Sequence, residues 1–141
     1  MEAELILCDT DVIIEYYRKN ISVIQLCNQL GFENLLVSNI TITELQQWAI
    51  TKDDLRQINK RIDKFPVVDI DLNISAKYNS LFETYILSHR SQIPDTLIAA
   101  TALTFDLQLF TLNTKHFQFF KGIRLIEHQL KPLYGKSTWW Q

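Results

Sequence analysis

The sequence is poor in the residues that build irregular structure. It has 3 glycines and 3 prolines in 141 residues, which argues against long structureless loops and low-complexity linkers. It has 2 cysteines, Cys8 and Cys27. Their separation matches no zinc or dithiol spacing, so both read as reduced, buried thiols of a cytoplasmic protein. Charge of one sign is also lacking. Fourteen Lys and Arg stand against 16 Asp and Glu, a net charge of -2. No global basic field draws in nucleic acid, so a nucleic-acid partner needs a local patch. No apolar run approaches the ~20 residues of a membrane span, and the acidic opening "MEAELILCDT" does not read as a signal peptide. No Gly-rich phosphate loop, Ser/His/Asp order or internal repeat is present. What remains is 47% hydrophobic and 21% charged, the balance of a globule with a real core. We read one domain over residues 1–130 and a tail over residues 131–141.

Short apolar runs alternate with helical patterns. Leu5–Cys8, Leu35–Val37, Val67–Ile70, Gln108–Thr111 and Ile123–Ile126 read as five strands. Between them lie helical patterns over Val12–Arg18, Ile21–Leu30 with Gly31 as stop, a segment capped at Thr41 or Thr43 and running through Glu44, Leu45, Trp48 and Ala49, Lys52–Lys64 with Leu55, Ile58 and Ile62 inward, Asn73–His89, and Thr96–Phe105. Strands this short and apolar, joined by helices, imply βαβ units and a parallel sheet covered on both faces. Sites in such sheets lie beyond the carboxyl ends of the strands. Asp9 ends the first strand, Glu44 is early in the helix after the second, Asp95 opens the helix feeding the fourth, and Asn113 follows the fourth.

Three carboxylates and an amide are hard oxygen ligands, suited to Mg²⁺ or Mn²⁺ rather than zinc. Crowded without a cation, such acids raise one another's pKa. A divalent ion removes that repulsion and supports hydrolysis of a phosphodiester. Each residue has a plainer reading beside this one. Asp9 and Asp95 also read as helix caps, Glu44 as the acid of a Thr41–Glu44 capping box, and Asn113 as a turn residue. Thr111 reads as either a hydroxyl near the acids or a strand-end core residue, and Asp11 as either a supporting acid or a surface cap.

The segments "LILCDTDVIIEYYR", "ITELQQW", "IPDTLIAATAL" and "LFTLNTKHF" occur in the order and with roughly the separations of PIN-domain nucleases. Together they resemble the VapC-type toxins of bacterial toxin–antitoxin pairs, over nearly the whole chain from Leu5 to about Ile126. The resemblance implies a three-layer α/β/α fold with a central parallel sheet of about five strands. It implies Mg²⁺- or Mn²⁺-dependent RNA cleavage, with metal at Asp9, Glu44 and Asp95, and with Thr10 at a position where the family often has a small hydroxyl residue near the metal. Asn113 matches a fourth position that is Asp in some members and Asn in others. Because Asn carries no charge, a second metal would bind weakly here or only with substrate. The resemblance further implies a homodimer and a cognate antitoxin.

Of the basic residues, Lys115, His116 and Lys121 flank the expected site and Arg18 lies near it in sequence. Lys115 and Arg18 are the expected RNA contacts. The stripe Lys52, Arg56, Lys60 and Lys64 is diluted by Asp53, Asp54 and Asp63 and reads as a solvated face. His89 and His128 show no partner pattern. Trp139 and Trp140 read either as a packed tail or as a partner contact. Two other functions compete: a non-catalytic or weakly active binding module that keeps the fold, and an aspartyl-nucleophile phosphatase suggested by "LILCDTDV" but lacking the Gly-Thr that should follow. A phospho-acceptor domain could use Asp69 or Asp71 but lacks its lysine after the fifth strand.

Overall fold

The computed structural model describes residues 4–134 and 136–141. The acidic opening at residues 1–3 and Gly135 in the tail lie outside that range. Five strands are present: β1 (Ile6–Cys8), β2 (Leu35–Ser38), β3 (Val67–Val68), β4 (Gln108–Phe110) and β5 (Arg124–Leu125). They form one sheet in the order β3-β2-β1-β4-β5, and all four pairings are parallel. Six helices connect them: α1 (Thr10–Tyr17), α2 (Ile21–Leu30), α3 (Asn39–Gln46), α4 (Lys52–Ile62), α5 (Leu72–His89) and α6 (Ile93–Thr104). Short 3-10 turns occupy Phe32–Asn34 and Thr114–His116.

Strand alternation builds the three layers. In β1, Ile6 and Cys8 point to one face with Leu35, Val37 and Phe110, and α1–α4 cover that face through Val12, Ile13, Val23, Cys27, Leu45, Ile58 and Ile62. Leu7 and Leu109 point to the other face, under Ile74 and Leu81 of α5 and Ile98–Ala102 of α6. All three residues of β1 are buried, which is why the strand reads as an unbroken apolar run. Right-handed crossovers carry β1, β2 and β3 outward in one direction, and the return to β4 needs helices on the opposite face. The order reverses at β1. The carboxyl ends of β1 and β4 therefore border the crevice where open α/β sheets place their sites.

Several boundaries differ from the sequence reading, each for a local reason. Helix α1 begins at Thr10 because Asp9 caps it, its Oδ1 accepting from the Thr10 N–H at 2.7 Å. Ser38 at the end of β2 caps α3 instead of Thr41 or Thr43. Thr41 is therefore buried inside the helix, the Thr41–Glu44 capping box does not form, and Trp48 and Ala49 fall beyond the helix end. The capping box that does form is Thr51 with Asp54, opening α4. On that helix Ile58 and Ile62 are buried as expected, but Leu55 is exposed. The edge strand β3 is shorter than expected. Helix α6 starts earlier, at Ile93, with Pro94 in its first turn. Pro is tolerated there because its missing N–H has no intrahelical use.

The tail is part of the core. Trp139 and Trp140 are buried against the α1–α4 side, with Tyr17 and Trp139 ring centroids 5.9 Å apart and the Trp140 Nε1–H donating to Asp54 Oδ1 at 3.2 Å. Glu15, 1% exposed, fastens the tail by accepting from the Leu133 N–H at 2.5 Å, the Tyr134 N–H at 3.2 Å and the Asn20 amide at 2.8 Å. Among the described residues no helix is long and apolar enough to cross a membrane.

Candidate active site

At the carboxyl ends of β1 and β4 four acids face one another. Asp9 directly follows β1, and its own N–H donates to the Phe110 carbonyl at 2.8 Å, so the sheet's hydrogen bonding fixes the residue's position. Its Oδ2 accepts from the Thr111 hydroxyl at 2.8 Å. That hydroxyl in turn accepts from the Asn113 N–H at 3.0 Å, tying the turn after β4 to the acid after β1. Glu44, in the second turn of α3, accepts from the Thr10 hydroxyl at 2.7 Å, and Thr41 Oγ1 lies 3.1 Å from that hydroxyl. Asp95 occupies the first turn of α6. It is not the helix cap, which is Gln92, so the carboxylate is left free of that duty. Its Oδ2 is 3.2 Å from His116 Nδ1, and the Asn113 amide nitrogen is 3.0 Å from the same His nitrogen.

The carboxylates are held in an unfavourable setting. Burial pushes Asp9 well above the usual carboxylate range; the charges of Asp11 and Asp95 add to the shift, and the bonds from Thr111 and Thr10 oppose it. Burial raises Asp11 to about 6, against the backbone N–H bonds of Leu112 and Val12. Glu44 and Asp95 are raised chiefly by burial. The Thr10 hydroxyl offsets this for Glu44, and His116 offsets it for Asp95. These couplings show which acids feel one another: Asp9 with Asp11 and Asp95, and Glu44 with Asp95. Perturbed acids in such a cluster are what a site needs and what a stable fold alone avoids.

The donor set is all hard oxygen. Among the described residues no group of three His, Cys, Asp or Glu side chains stands close enough together to hold a metal ion. The oxygen donors themselves are of the kind a hard ion such as Mg²⁺ takes, keeping several waters and meeting one or two carboxylates directly.

Sequence reading thus places Asp9, Glu44, Asp95, Asn113, Thr10 and Thr111 at one end of the sheet, and the structure brings all six together. Lys115 lies in the turn after Asn113 and borders a cleft with Asp95. Arg18 is not with them. It caps the far end of α1, about 12 Å of helix from Thr10, and bonds the Ser137 carbonyl of the tail. Closeness in sequence misleads here because a helix carries its two ends apart. Asp11, open in the sequence between a supporting acid and a surface cap, stands half-buried beside the acids and accepts from the Leu112 N–H at 3.3 Å. One residue had no assigned role in the sequence reading. Lys136, from the tail, borders a hollow with Asp11 and Asn113, and its charge lowers Asp11, Glu44 and Asp95. No local pattern could have revealed Lys136, since it reaches the acids only because Glu15 and Trp139 dock the tail.

The PIN domain family model matches residues 6–121. The chain belongs to the PIN-domain family. This PIN chain is 30% identical to ribonuclease VapC10 of Mycobacterium tuberculosis, over 91% of the chain and 92% of that relative. It is also 30% identical to ribonuclease VapC1 of Methanocaldococcus jannaschii, over 96% of the chain and 90% of that relative. Its fold matches a toxin–antitoxin complex from Klebsiella pneumoniae with a TM-score of 0.72 at 23% identity, covering 89% of this PIN chain and 98% of the other. The expected three-layer fold with a parallel five-stranded sheet is therefore what the chain adopts.

Proposed function

We propose that this PIN-domain chain is a metal-dependent endoribonuclease that hydrolyses RNA phosphodiester bonds, acting in the cytoplasm as the toxin of a toxin–antitoxin pair. The observation that carries the reading is the cluster of buried Asp9 with half-buried Asp11, Glu44 and Asp95, in which burial raises every carboxylate and neighbouring acids raise Asp9, Asp11 and Glu44 further. Two ribonuclease relatives at 30% identity support the choice of RNA. The resemblance to VapC-type toxins supports a homodimer and an antitoxin that binds it.

In this reading Asp9, Glu44, Asp95 and the neutral Asn113 hold Mg²⁺ or Mn²⁺. A divalent ion, when bound, supplies neutralisation of the carboxylates and Lewis acidity toward water and phosphate. The chain's own residues do the rest. Thr111 and Thr10 fix the rotamers of Asp9 and Glu44 through their hydroxyls. Asp11 adds charge beside them. Lys115 meets the phosphate from the Asp95 side. Water then adds to phosphorus in line with the departing ribose oxygen.

Incubating a cellular RNA pool with the purified protein tests this directly. Discrete products that require Mn²⁺, vanish with EDTA and vanish in Asp95→Asn are expected. Cleavage that persists in EDTA or in Asp95→Asn overturns the reading. A protein that neither cleaves nor binds the metal by calorimetry is a binding module.

A further inference from the structure

Beside Asp95, away from the other acids, a cleft of about 150 Å³ opens between the end of α5 and the turn after β4. Its wall holds three unusual features that the acid site does not use. Arg90 ends α5 in a left-handed conformation, φ 52° and ψ 41°, where Gly or Asn is the easy choice. An Arg at such a position carries strain, and strain of this kind collects at functional sites. Next to it, Ser91 is 7% exposed and its hydroxyl has no hydrogen-bond partner. A buried hydroxyl without a partner is uncommon and calls for an explanation. Then α6 begins at the cleft with no side chain capping its N-terminus; Pro94 has no N–H and the Thr96 N–H bonds the Gln92 carbonyl, which leaves the Ile93 and Asp95 N–H groups for an anion.

The charges agree with this. Among the described residues the Arg90 guanidinium and the Lys115 ammonium have no ion-pair or hydrogen-bond partner, although both border the cleft. Part of the lining is aromatic. His89 and Phe119 stack with ring centroids 4.3 Å apart and planes 13° from parallel, and Phe119 packs further on Tyr85 and Phe120. Two free cations, a helix N-terminus and an unpartnered hydroxyl match a phosphate. A rigid ring pair beside them matches an unstacked base.

We propose that this cleft seats one nucleotide of single-stranded RNA adjacent to the bond being cut: Arg90, Lys115, the Ser91 hydroxyl and the α6 N-terminus take its phosphate, and the His89–Phe119 pair supports its base. The proposal deepens the nuclease reading and rests on it for the identity of the ligand. It assigns the RNA a direction across the site, from the acids over Asp95 into the cleft.

The test is fluorescence anisotropy of a labelled single-stranded RNA in EDTA, for the wild-type chain, Arg90→Gly and Lys60→Ala. Glycine suits the left-handed backbone of position 90, so Arg90→Gly removes the guanidinium without risk to the fold. Lys60→Ala removes the same charge from the solvated stripe on α4. Arg90→Gly should weaken binding about tenfold, as expected for a lost charged hydrogen bond, and make the slope of log K against log salt shallower by about 0.7. Lys60→Ala should match wild type, and a duplex RNA should bind more weakly than a single strand. Unchanged affinity and slope in Arg90→Gly, an equal loss in Lys60→Ala, or no binding by wild type at low salt overturns the cleft. RNA held through Arg90 without metal-dependent cleavage overturns the nuclease reading alone.

Discussion

The two ends of helix α1 carry buried carboxylates wired in opposite ways. At its C-terminal half, Glu15 accepts three N–H bonds, from Leu133, Tyr134 and Asn20. At its N-terminus, Asp9 and Asp11 face each other and Asp95. The sequence "DTDVIIE" gives no hint of the difference, since all three residues are acids on one short helix. Burial of a charge is costly in either place unless it is compensated. Glu15 is compensated by the chain's own donors and therefore holds the structure together. The acids at the other end are compensated only in part, by the backbone N–H groups of Thr10, Val12 and Leu112, two threonine hydroxyls, a histidine and the distant charge of Lys136. The remainder is what a bound cation would neutralise, and it is on that difference that the proposed metal site rests.

The comparison can be broken at its functional end first. Asp9→Asn should lower RNA cleavage by about a thousandfold or more, the scale of losing a charge-stabilising group from a catalytic centre, while its thermal midpoint stays at or above that of wild type, because a repelling buried charge is gone. Single-turnover cleavage rates and a melting curve on the same preparation check both halves. Retained cleavage, or a collapse in stability, means that Asp9 is a structural cap.

At the other end the expected pattern is inverted. Glu15→Gln leaves an acceptor oxygen but faces at least one N–H of the tail with an amide donor, so it should cost about 2 kcal/mol. Urea unfolding measures this. Cleavage by the folded fraction should persist, reduced only as far as the tail and Lys136 loosen. If Glu15→Gln abolished turnover with no loss of stability, the two ends would not differ as described.

The smallest effect concerns pH. Asp11 has a folded pKa of about 6, above its unfolded value of about 3.9. With the folded pKa raised, the native state binds more protons than the unfolded chain between those values. Its stability therefore falls as pH rises from about 4 to 6, and the loss is then complete. Asp9, Glu44 and Asp95 are shifted in the same direction. The metal-free protein should melt at a lower temperature at pH 7.5 than at pH 5, Mg²⁺ should restore more stability at pH 7.5 than at pH 5, and Asp11→Asn should flatten the metal-free dependence. A melting temperature that rises with pH in EDTA for wild type and variant alike contradicts this account of the acids.

How far the sequence could be read follows the range of the interactions. The central strand was the most legible, because a parallel strand buried on both faces must be apolar throughout, as Ile6–Cys8 is; the others showed in shorter apolar runs such as Leu109–Phe110. The helices were legible from periodicity, but their starts were not always, because caps compete. Ser38 displaced Thr41 at α3, and Pro94 moved the start of α6 so that Asp95 entered the first turn. The cluster Asp9, Glu44, Asp95 and Asn113 was legible because the topology of a parallel sheet sends every strand end to the same edge. Arg18 falls at the far end of α1 from the acids, because nearness along a helix is not nearness in space.

By itself, then, the sequence determined the alternation of strands and helices, the parallel sheet and the edge at which the acids gather, since each follows from local pattern and chain direction. Tertiary structure alone decided the rest: that Thr10 meets Glu44 and Thr111 meets Asp9, that Trp139 docks the tail and brings Lys136 to the acids, and that Arg90 and Phe119 close a cleft beside Asp95. Those contacts join residues tens of positions apart, and no local preference encodes them. They arise only when burial of the two apolar faces fixes the helices against the sheet.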